Sequence, residues 1–188
     1  GPTGGSDLLH VGSTIPRKRI DVLLETLALV AKARPDARLW RVGGPFTPEQ
    51  SNQARALGVE GRIIVLPFIS RTVLAALYRR AALVLMPSER EGFGLPVVEA
   101  MASGTPILGP DLSVLREVGG EAAEYCAVGE PSAWAARIVV LLQEREATPE
   151  RWNARQMIGL AHAAGFSWKR YADAMQDVYE RIGMPVTR

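Results

Sequence analysis

The sequence predicts a doubly wound α/β fold, a parallel sheet with helices on both faces, followed by a helical C-terminal tail. Short apolar runs alternate with longer amphipathic segments along the 188 residues, which is the pattern of parallel strands covered by helices. Apolar residues make up 47% of the chain and charged residues 22%, as in an ordinary globular protein. A chain of this length is long enough to bury a core.

Four strands are expected in the first half of the chain, at residues 8–12, 38–42, 63–66 and 82–86. A helix is expected after the first strand and ends before Pro35; its apolar face consists of Ile20, Leu23, Leu24, Leu27 and Ala31. Thr47 and Gln50 have the spacing of a capping box, with proline at the first helical position. Ser70 is expected to cap a short helix that carries Leu74, Leu77 and Tyr78.

The second half continues the alternation. A helix is expected at 95–103, closed by Gly104 in the left-handed conformation, with strands at 107–108 and 122–127. Three further helices are expected to begin at Pro131, at Pro149 and after Ser167. Two of them carry apolar stripes that we expect to pack in the core: Trp134, Ile138, Leu141 and Leu142 on one, and Trp168, Tyr171, Ala172, Met175, Tyr179 and Ile182 on the other. The predicted domain is Rossmann-like and spans residues 8–183, between a linker at 1–7 and a tail at 184–188.

Composition excludes several classes of protein. The 22 basic and 20 acidic residues leave a net charge of only +2, too small and too scattered for a nucleic-acid-binding surface. One cysteine rules out a disulfide framework, and two histidines with one thiol cannot form a structural zinc site. The sequence contains neither a signal peptide nor an apolar run long enough to cross a bilayer. We therefore expect a cytoplasmic protein with no metal and no nucleic-acid partner.

The segment after the fourth strand is the strongest candidate for a ligand site. Gly92 and Gly94 allow the backbone to approach a ligand closely, and Pro96 fits the first turn of the helix that follows. Unpaired amides near Gly94 and Leu95 would then favour an anion such as a phosphate or pyrophosphate. Ligands of such sheets bind beyond the carboxyl ends of the strands, where this segment is expected to lie.

Two glutamates accompany this anion site. Glu91 lies in the loop and Glu99 about one turn inside the helix. Carboxylates do not help to bind a phosphate, but they accept hydrogen bonds from hydroxyl groups and therefore suit a sugar. The alternative is that each acid only complements the helix dipole, a contribution of about 0.3–1 kcal/mol. The paired glycines and the strand–loop–helix context favour the sugar interpretation.

Two other loops carry unusual residues. Arg17, Lys18 and Arg19 follow the first strand, where they could neutralise a diphosphate; the alternative is a solvated start of a helix. Gly43 and Gly44 form a turn after the second strand that would let a nucleobase approach. No Gly-x-Gly-x-x-Gly motif follows the first strand, which disfavours a nicotinamide dehydrogenase.

The remaining candidate residues are weaker. His10 lies in an apolar strand and His162 in a helix, so a structural role is expected for each. Cys126 is expected to be a small core residue. The sequence has no nucleophile elbow, no Walker loop and no cluster with the spacing of metal ligands.

Residues 91–106, Glu-Gly-Phe-Gly-Leu-Pro-Val-Val-Glu-Ala-Met-Ala-Ser-Gly-Thr-Pro, resemble the Glu-x7-Glu signature of the retaining glycosyltransferases called group 1 or family 4. His10-Val11-Gly12, Lys18, residues 81–88 and Phe166-Ser167-Trp168 also fall in the order typical of that family. The resemblance covers residues 8–182. It implies the C-terminal, donor-binding half of the two-domain GT-B architecture, with no counterpart of the N-terminal half that carries most of the acceptor site.

The resemblance implies a role for each matching residue. Glu99 would accept hydrogen bonds from the ribose, and Glu91 would contact the transferred sugar. Lys18 and Arg17 would neutralise the diphosphate leaving group, together with the amides of Gly94 and Leu95. The other donor-binding residues implied are Gly12, Ser13, Gly43, Gly44, Phe68, Ile69, Gly92 and Phe93. Many members of the family have arginine where this chain has Ser13, and we expect Arg17 to substitute for it.

The implied function is retaining transfer of a sugar, of the hexosyltransferase type, from a nucleotide-diphosphate sugar that serves as co-substrate without a further cofactor. A saccharide or lipid-linked acceptor would be held by the absent N-terminal half, so that this chain is expected to be inactive alone. The full-length enzyme could then associate with the inner face of the membrane. The alternative is a non-catalytic Rossmann-like binding or regulatory domain. An epimerase or phosphorylase would need an acid–base histidine or a pyridoxal lysine, and the sequence offers no candidate for either.

Overall fold

A six-stranded parallel sheet organises the computed structural model, which describes residues 5–183. Its strands are β1 (Asp7–Val11), β2 (Arg38–Val42), β3 (Ile63–Leu66), β4 (Leu83–Leu85), β5 (Ile107–Pro110) and β6 (Glu124–Cys126). They lie in the order β3-β2-β1-β4-β5-β6, with every pair parallel. β1 and β4 are therefore central neighbours, at the point where the direction of winding reverses.

The described part of the chain contains eight α-helices. They are α1 (Ile20–Ala33), α2 (Pro48–Ala56), α3 (Arg71–Arg80), α4 (Leu95–Ala102), α5 (Ser113–Gly119), α6 (Pro131–Ala147), α7 (Pro149–Ala163) and α8 (Trp168–Arg181). One face of the sheet packs against α1, α2 and α6, the other against α3, α4 and α5, and α7 contributes to both layers. Both faces are covered, so the predicted doubly wound, Rossmann-like α/β fold is confirmed.

The central strands are apolar on both faces because helices cover both faces. In β1, Leu8 belongs to the core on the α1 side and Leu9 to the core on the α4 side. Leu8 is in register with Leu39 on one neighbouring strand and with Leu83 on the other. Burial of each such leucine contributes about 1.5–3 kcal/mol to the stability of the fold. Because successive residues point to opposite faces, one sheet contributes to two cores.

Most element boundaries agree with the expectations from the sequence. β2 and β3 have the predicted bounds, whereas β1 is shifted by one residue and begins at Asp7. The capping box of Thr47 and Gln50 is present with both hydrogen bonds, and Ser70 and Ser167 cap α3 and α8. β6 is shorter than expected at both ends, and at its start Ala122 belongs to a 3₁₀ turn at residues 120–122.

Helix α5 is absent from the sequence prediction. It has only seven residues and ends at Gly119, so it is too short to show a helical period. Leu115 and Val118 of this helix are buried against the core on the α4 side. Tertiary packing, rather than helix propensity, therefore accounts for this helix.

The expectation that the apolar stripe of α8 packs in the core is wrong. Trp168 is 80% exposed and Tyr171 62% exposed, and no residue of α8 is buried. The physical reason is that the other helices already cover both faces of the sheet, so that α8 has no sheet surface to pack on. The corresponding stripe of α6 is buried as expected, with Trp134 in the core.

The ends of the chain were expected to be a linker and a tail. Residues 1–4 of that linker, and the tail at 184–188, lie outside the described residues. Ser6 and Asp7 are buried, and Asp7 belongs to β1. Within residues 5–183, none of the helices combines the length and the apolar character that crossing a lipid bilayer requires.

Candidate functional site

The candidate site lies where β1 and β4 end side by side. Leu9 of β1 is in register with Val84 of β4, so that the loops after these strands emerge next to each other. The backbone N–H of Glu89 donates to the carbonyl of Arg17 at 2.9 Å. This hydrogen bond joins the basic loop after β1 to the glycine-rich loop that precedes α4.

Lys18 and Glu91 form the central ion pair of the site. The Lys18 Nζ atom lies 2.5 Å from Glu91 Oε1, and the side chains are only 10% and 8% exposed. Arg17 donates to Glu91 Oε2 at 3.3 Å and to the carbonyl of Arg90 at 3.1 Å. Two cations therefore converge on one largely buried carboxylate at the carboxyl edge of the sheet.

The surroundings of Glu91 favour its ionised form. Burial alone would raise the pKa of this carboxyl group, but the hydrogen bond from Lys18 and the charges of Lys18 and Arg17 outweigh it. The pKa of Glu91 consequently lies below its ordinary value. At neutral pH the site thus holds an ionised carboxylate with two cations beside it.

Arg19, the third cation of the basic loop, is turned away from Glu91. Its guanidinium contacts the Asp21 carboxylate, with Nη2–Oδ2 at 2.7 Å and Nε–Oδ1 at 3.0 Å. Its backbone is left-handed, with φ 48°, at the N-cap position of α1. The structure therefore splits the basic triplet, with two cations in the site and one at the start of α1.

The N-terminus of α4 faces the same edge of the sheet. Gly94 is the N-cap residue in a left-handed conformation, with φ 87°, and no side chain caps this end of the helix. A Cβ atom on Gly94 would lie 2.4 Å from Cδ2 of Leu115, so that glycine is needed for both conformation and space. Phe93 and Leu95 on either side are exposed. The amide N–H groups at this uncapped terminus can donate hydrogen bonds to an anion.

Glu99 is held by a tyrosine of the neighbouring helix. The Tyr78 hydroxyl donates to Glu99 Oε2 at 2.8 Å. The Tyr78 side chain is buried in the core on the α4 side, whereas Glu99 is exposed. Burial, with a contribution from the Glu99 charge, raises the pKa of Tyr78 far above its ordinary value, so the phenol remains a hydrogen-bond donor at physiological pH.

The loops after β1 and β2 are in direct contact. Gly12 donates to the carbonyl of Val42 at 2.9 Å, and Arg41 Nη2 donates to the Gly12 carbonyl at 2.8 Å and to the Gly43 carbonyl at 3.3 Å. Gly43 has φ 127°, and a Cβ atom there would lie 2.0 Å from the Gly12 oxygen. These two loops can approach so closely only because residue 43 has no side chain.

The segment after β3 lies at the outer edge of the sheet. Gly44 donates to the carbonyl of Leu66, which ties the β2 loop to the end of β3. Phe68 is 83% exposed, whereas Ile69 packs partly against the core on the α4 side. Of this pair, Phe68 therefore presents a free aromatic ring to solvent beyond the carboxyl end of the sheet.

The two histidines and the cysteine make packing contacts. His10 is fully buried, with Nδ1 3.0 Å from the Leu85 carbonyl, and burial lowers its pKa to about 4. His162 Nε2 lies 2.8 Å from the Val118 carbonyl and so connects α7 to α5. Cys126 is partly buried in β6, and burial raises its pKa. These contacts give each side chain a place in the packing between elements.

The site residues expected from the sequence fall into three groups. Arg17 and Lys18 both contact Glu91, and the adjoining loops contain Gly12, Ser13, Gly43 and Gly44. Gly92, Phe93, Gly94 and Leu95 lead into α4, which carries Glu99. Phe68 and Ile69 follow β3, two strands away from β1.

Two residues of this region were not predicted as site residues from the sequence. Tyr78 was expected only as part of an apolar face, although a buried hydroxyl needs a hydrogen-bond partner. Arg41 went unnoticed, although a cation within the apolar run of β2 is itself a signal. Burial lowers the pKa of Arg41, and its guanidinium holds the carbonyls of both glycine loops.

Comparisons with known proteins agree with this architecture. The family profile described as "Glycosyl transferases group 1" matches residues 5–144. A D-inositol 3-phosphate glycosyltransferase from Segniliparus rotundus is 37% identical over 179 residues, which cover 90% of this chain and 38% of that protein. The chain spans about two fifths of the length of the curated relatives that it matches.

Solved structures resemble the chain over nearly its whole length. Sucrose-phosphate synthase from Thermosynechococcus elongatus superposes with a TM-score of 0.80 at 25% identity, covering 95% of this chain and 45% of that one. A glycosyltransferase from Rickettsia africae superposes with a TM-score of 0.85 at 18% identity, covering 96% and 48%. The second likeness concerns the fold alone.

Proposed function

This chain belongs to the group 1 glycosyl transferases, and on that premise we propose that it is the nucleotide-sugar donor-binding half of a retaining, two-domain GT-B enzyme. The observation that carries the proposal is the convergence of Lys18 and Arg17 on Glu91, next to the uncapped N-terminus of α4. Cations, free amides and a carboxylate at one edge of the sheet match the diphosphate and the hydroxyls of such a donor.

Diphosphate binding would exchange one set of ionic contacts for another. Without ligand, Glu91 is the anion that satisfies Lys18 and Arg17. A diphosphate carries more negative charge than a carboxylate and can also reach the amides at Gly94 and Leu95. Lys18 and Arg17 would turn to the diphosphate, and Glu91 would become available to hydroxyls of the transferred sugar.

The nucleoside would extend from the diphosphate along the edge of the sheet. Glu99, exposed on α4 and held by Tyr78, is the proposed acceptor for the ribose hydroxyls. The base would lie near Gly43 and Gly44, in the turn after β2, with the exposed ring of Phe68 as a stacking surface. Gly12, Ser13, Ile69, Gly92 and Phe93 would complete the donor site.

The same groups would assist cleavage of the bond between sugar and diphosphate. Cleavage places negative charge on the leaving diphosphate and positive charge on the sugar ring. Lys18, Arg17 and the α4 amides would stabilise the first charge, and the Glu91 carboxylate the second. Arg17 would take the place of the arginine that many family members have at the position of Ser13. We propose retention without a covalent bond to Glu91, and no resident metal or cofactor.

The acceptor would be bound by a part of the enzyme that this chain does not include. The chain spans about two fifths of the length of relatives named D-inositol 3-phosphate glycosyltransferase. For this protein we propose a saccharide or lipid-linked acceptor, hexosyl transfer at the cytoplasmic face of the membrane, and no transfer by this chain alone. A regulatory domain without ligand affinity is the second candidate, but it leaves the convergent charges without a role.

A thermal-shift panel tests the proposal. At least one of UDP, GDP and ADP, each at millimolar concentration, should raise the Tm of the chain. A ligand that binds only the native state stabilises that state. Glu99→Ala and Lys18→Ala should abolish the shift. Glu117→Ala removes an exposed glutamate from α5 and should leave the shift intact. If no nucleoside diphosphate or diphospho-sugar shifts the Tm of the wild type, the proposal fails and the regulatory candidate gains.

A further inference from the structure

Tyr78 is a buried polar residue to which the donor-binding scheme assigns no direct contact with ligand. It lies in α3, its side chain is 2% exposed, and it packs among residues of the core on the α4 side. Its hydroxyl lies at the edge of this core and donates a hydrogen bond to Glu99 Oε2 at 2.8 Å. The core residue therefore ends in a contact with an exposed carboxylate at the proposed ribose site.

The tyrosine is anchored at its backbone as well. The Thr105 hydroxyl, buried just beyond the C-terminus of α4, donates to the Tyr78 carbonyl at 2.6 Å. Tyr78 is thus tied to α4 through Glu99 and to the loop after α4 through Thr105. The two hydrogen bonds connect both the side-chain hydroxyl and the backbone carbonyl of Tyr78 to the α4 segment.

The phenol supplies a donor that does not titrate away. Burial raises the pKa of Tyr78, with the Glu99 charge adding to the effect, so the hydroxyl keeps its proton throughout the physiological range. A hydrogen bond to a charged group is stronger than one between neutral groups. Without it, a glutamate on an exposed helix face would sample several rotamers, and a ligand that orders the side chain would have to offset that loss of entropy.

We propose that Tyr78 is a positioning residue for donor binding: it holds one oxygen of Glu99 so that the carboxylate is already oriented for the ribose hydroxyls when the nucleotide arrives. The inference rests on the proposed function. Within the described residues the other oxygen, Oε1, has no hydrogen-bond partner, and it is the atom that would accept from the ribose.

A purely structural role is the competing explanation, because a buried phenol needs a hydrogen-bond partner whatever the ligand. The two roles differ in their dependence on the ribose. Loss of a positioning hydrogen bond weakens only ligands that use Glu99, whereas a loss of packing weakens all ligands of the site alike.

The test is titration calorimetry with paired ligands. The tightest binder among UDP, GDP and ADP is compared with its 2′,3′-dideoxy analogue, on the wild type, Tyr78→Phe, Glu99→Gln and the double variant. Tyr78→Phe should weaken the ribose-bearing nucleotide about 5- to 10-fold and the dideoxy analogue less than about 2-fold. In the Glu99→Gln background, Tyr78→Phe should add less than about 2-fold.

Two more variants complete the experiment. Tyr125→Phe removes another phenol hydroxyl, which contacts the carbonyls of Leu115 and Gly120 at 2.9 Å, and should leave the ratio of the two affinities unchanged. Thr105→Val keeps the Tyr78 hydroxyl but loosens its backbone anchor, and should lower the ribose-dependent affinity about 2-fold. If Tyr78→Phe folds poorly, Thr105→Val provides an independent measurement of the ribose-dependent affinity.

Each outcome decides between the explanations. Equal weakening of both ligands by Tyr78→Phe, or no weakening of either, overturns the positioning role and leaves the proposed function intact. Absence of nucleotide binding by the folded wild type overturns the proposed function itself and the inference with it. A loss confined to the ribose-bearing ligand supports the inference.

Discussion

The Lys18–Glu91 ion pair of the candidate site should contribute to the stability of the fold even when no ligand is bound. Both side chains are about nine-tenths buried and lie 2.5 Å apart. Removal of one member of such a pair leaves a charge with too little solvent around it. Arg17, which also contacts Glu91, supplies partial compensation.

We therefore expect Lys18→Met to lower the free energy of unfolding by about 1–3 kcal/mol. Adding Glu91→Gln should restore much of that loss, because the double variant contains no unpaired buried charge. Urea unfolding at pH 7 measures both effects.

Lys169→Met provides the matched control for this cycle. Its partner Asp173 lies 2.7 Å away on α8, and Lys169 is 83% exposed, so the change should be less than about 0.5 kcal/mol. Strictly additive effects of the Lys18 and Glu91 substitutions would contradict a coupled buried pair.

His10 makes the stability of the fold depend on pH. Its pKa is lowered from 6.5 to about 4, chiefly because the ring is fully buried beside Arg41 and Lys18. Between pH 6.5 and about pH 4, His10 binds a proton more readily in the unfolded chain than in the folded chain. The free energy of unfolding therefore falls as the pH falls from about 6.5 towards 4. The total contribution is about 3 kcal/mol.

His10→Asn removes this titration and retains an N–H donor for the Leu85 carbonyl. From pH 7 to pH 4.5 the wild type should lose about 2 kcal/mol more of its unfolding free energy than the variant. Parallel chemical denaturation at the two pH values measures the difference, and carboxylates common to both proteins cancel. Equal losses would mean that the ring is protonated as easily in the folded state.

At the residue scale, much of the candidate site could be predicted. Glu91 and Lys18 are visible because they lie with glycines in the loops that follow strands, and Glu99 because it completes a Glu-x7-Glu pattern with Glu91. Tyr78 was assigned to an apolar face, since its spacing fits the core and the partner of its hydroxyl is 21 residues away. Partners across helices depend on packing, which a single sequence does not display.

The turn into α4 is sensitive to backbone geometry. Gly94 combines φ 87° with a side-chain atom only 2.4 Å from where a Cβ would stand, whereas a Cβ on Gly92 would meet nothing within 4 Å. Gly94→Ala should lower the unfolding free energy by about 1–3 kcal/mol. Gly92→Ala should change it by less than about 0.5 kcal/mol. Thermal unfolding of the two variants provides the comparison.

The two glycine variants should also differ in ligand affinity. The proposed anion site depends on the orientation of the amides at the start of α4, so Gly94→Ala should weaken nucleotide binding about 10-fold or more at a temperature where it remains folded. If Gly94→Ala is as stable as Gly92→Ala, the left-handed turn is not a requirement of the fold.

At the element scale, capping signals and apolar stripes predicted most helices. Thr47, Ser70 and Ser167 cap the helices that they were expected to cap, because capping is a local interaction between a side chain and nearby amides. α5 and the surface position of α8 could not be predicted. Both depend on which apolar surfaces are already covered, and a stripe of apolar residues does not reveal its partner.

At the scale of the whole molecule, the order of the strands creates the site. The alternation of short and long apolar segments predicts a parallel sheet covered on both faces, but it does not predict that β1 lies beside β4. That pairing brings Lys18 and Arg17, which follow β1, to Glu91, which follows β4. The pairing of β1 with β4 at the centre of the sheet therefore assembles the candidate site from loops about 70 residues apart in the sequence.

The central claim is that a nucleoside diphosphate binds at the carboxyl edge of β1 and β4, against the start of α4. Backbone amide NMR of the isotopically labelled chain, titrated with UDP, GDP and ADP, tests it most directly. One of these ligands should shift the amide signals of Gly12, Gly94 and Leu95 together, in a saturable manner, and leave those of α6 unmoved. Saturable shifts confined to another surface, or none with any of the three, would contradict the account.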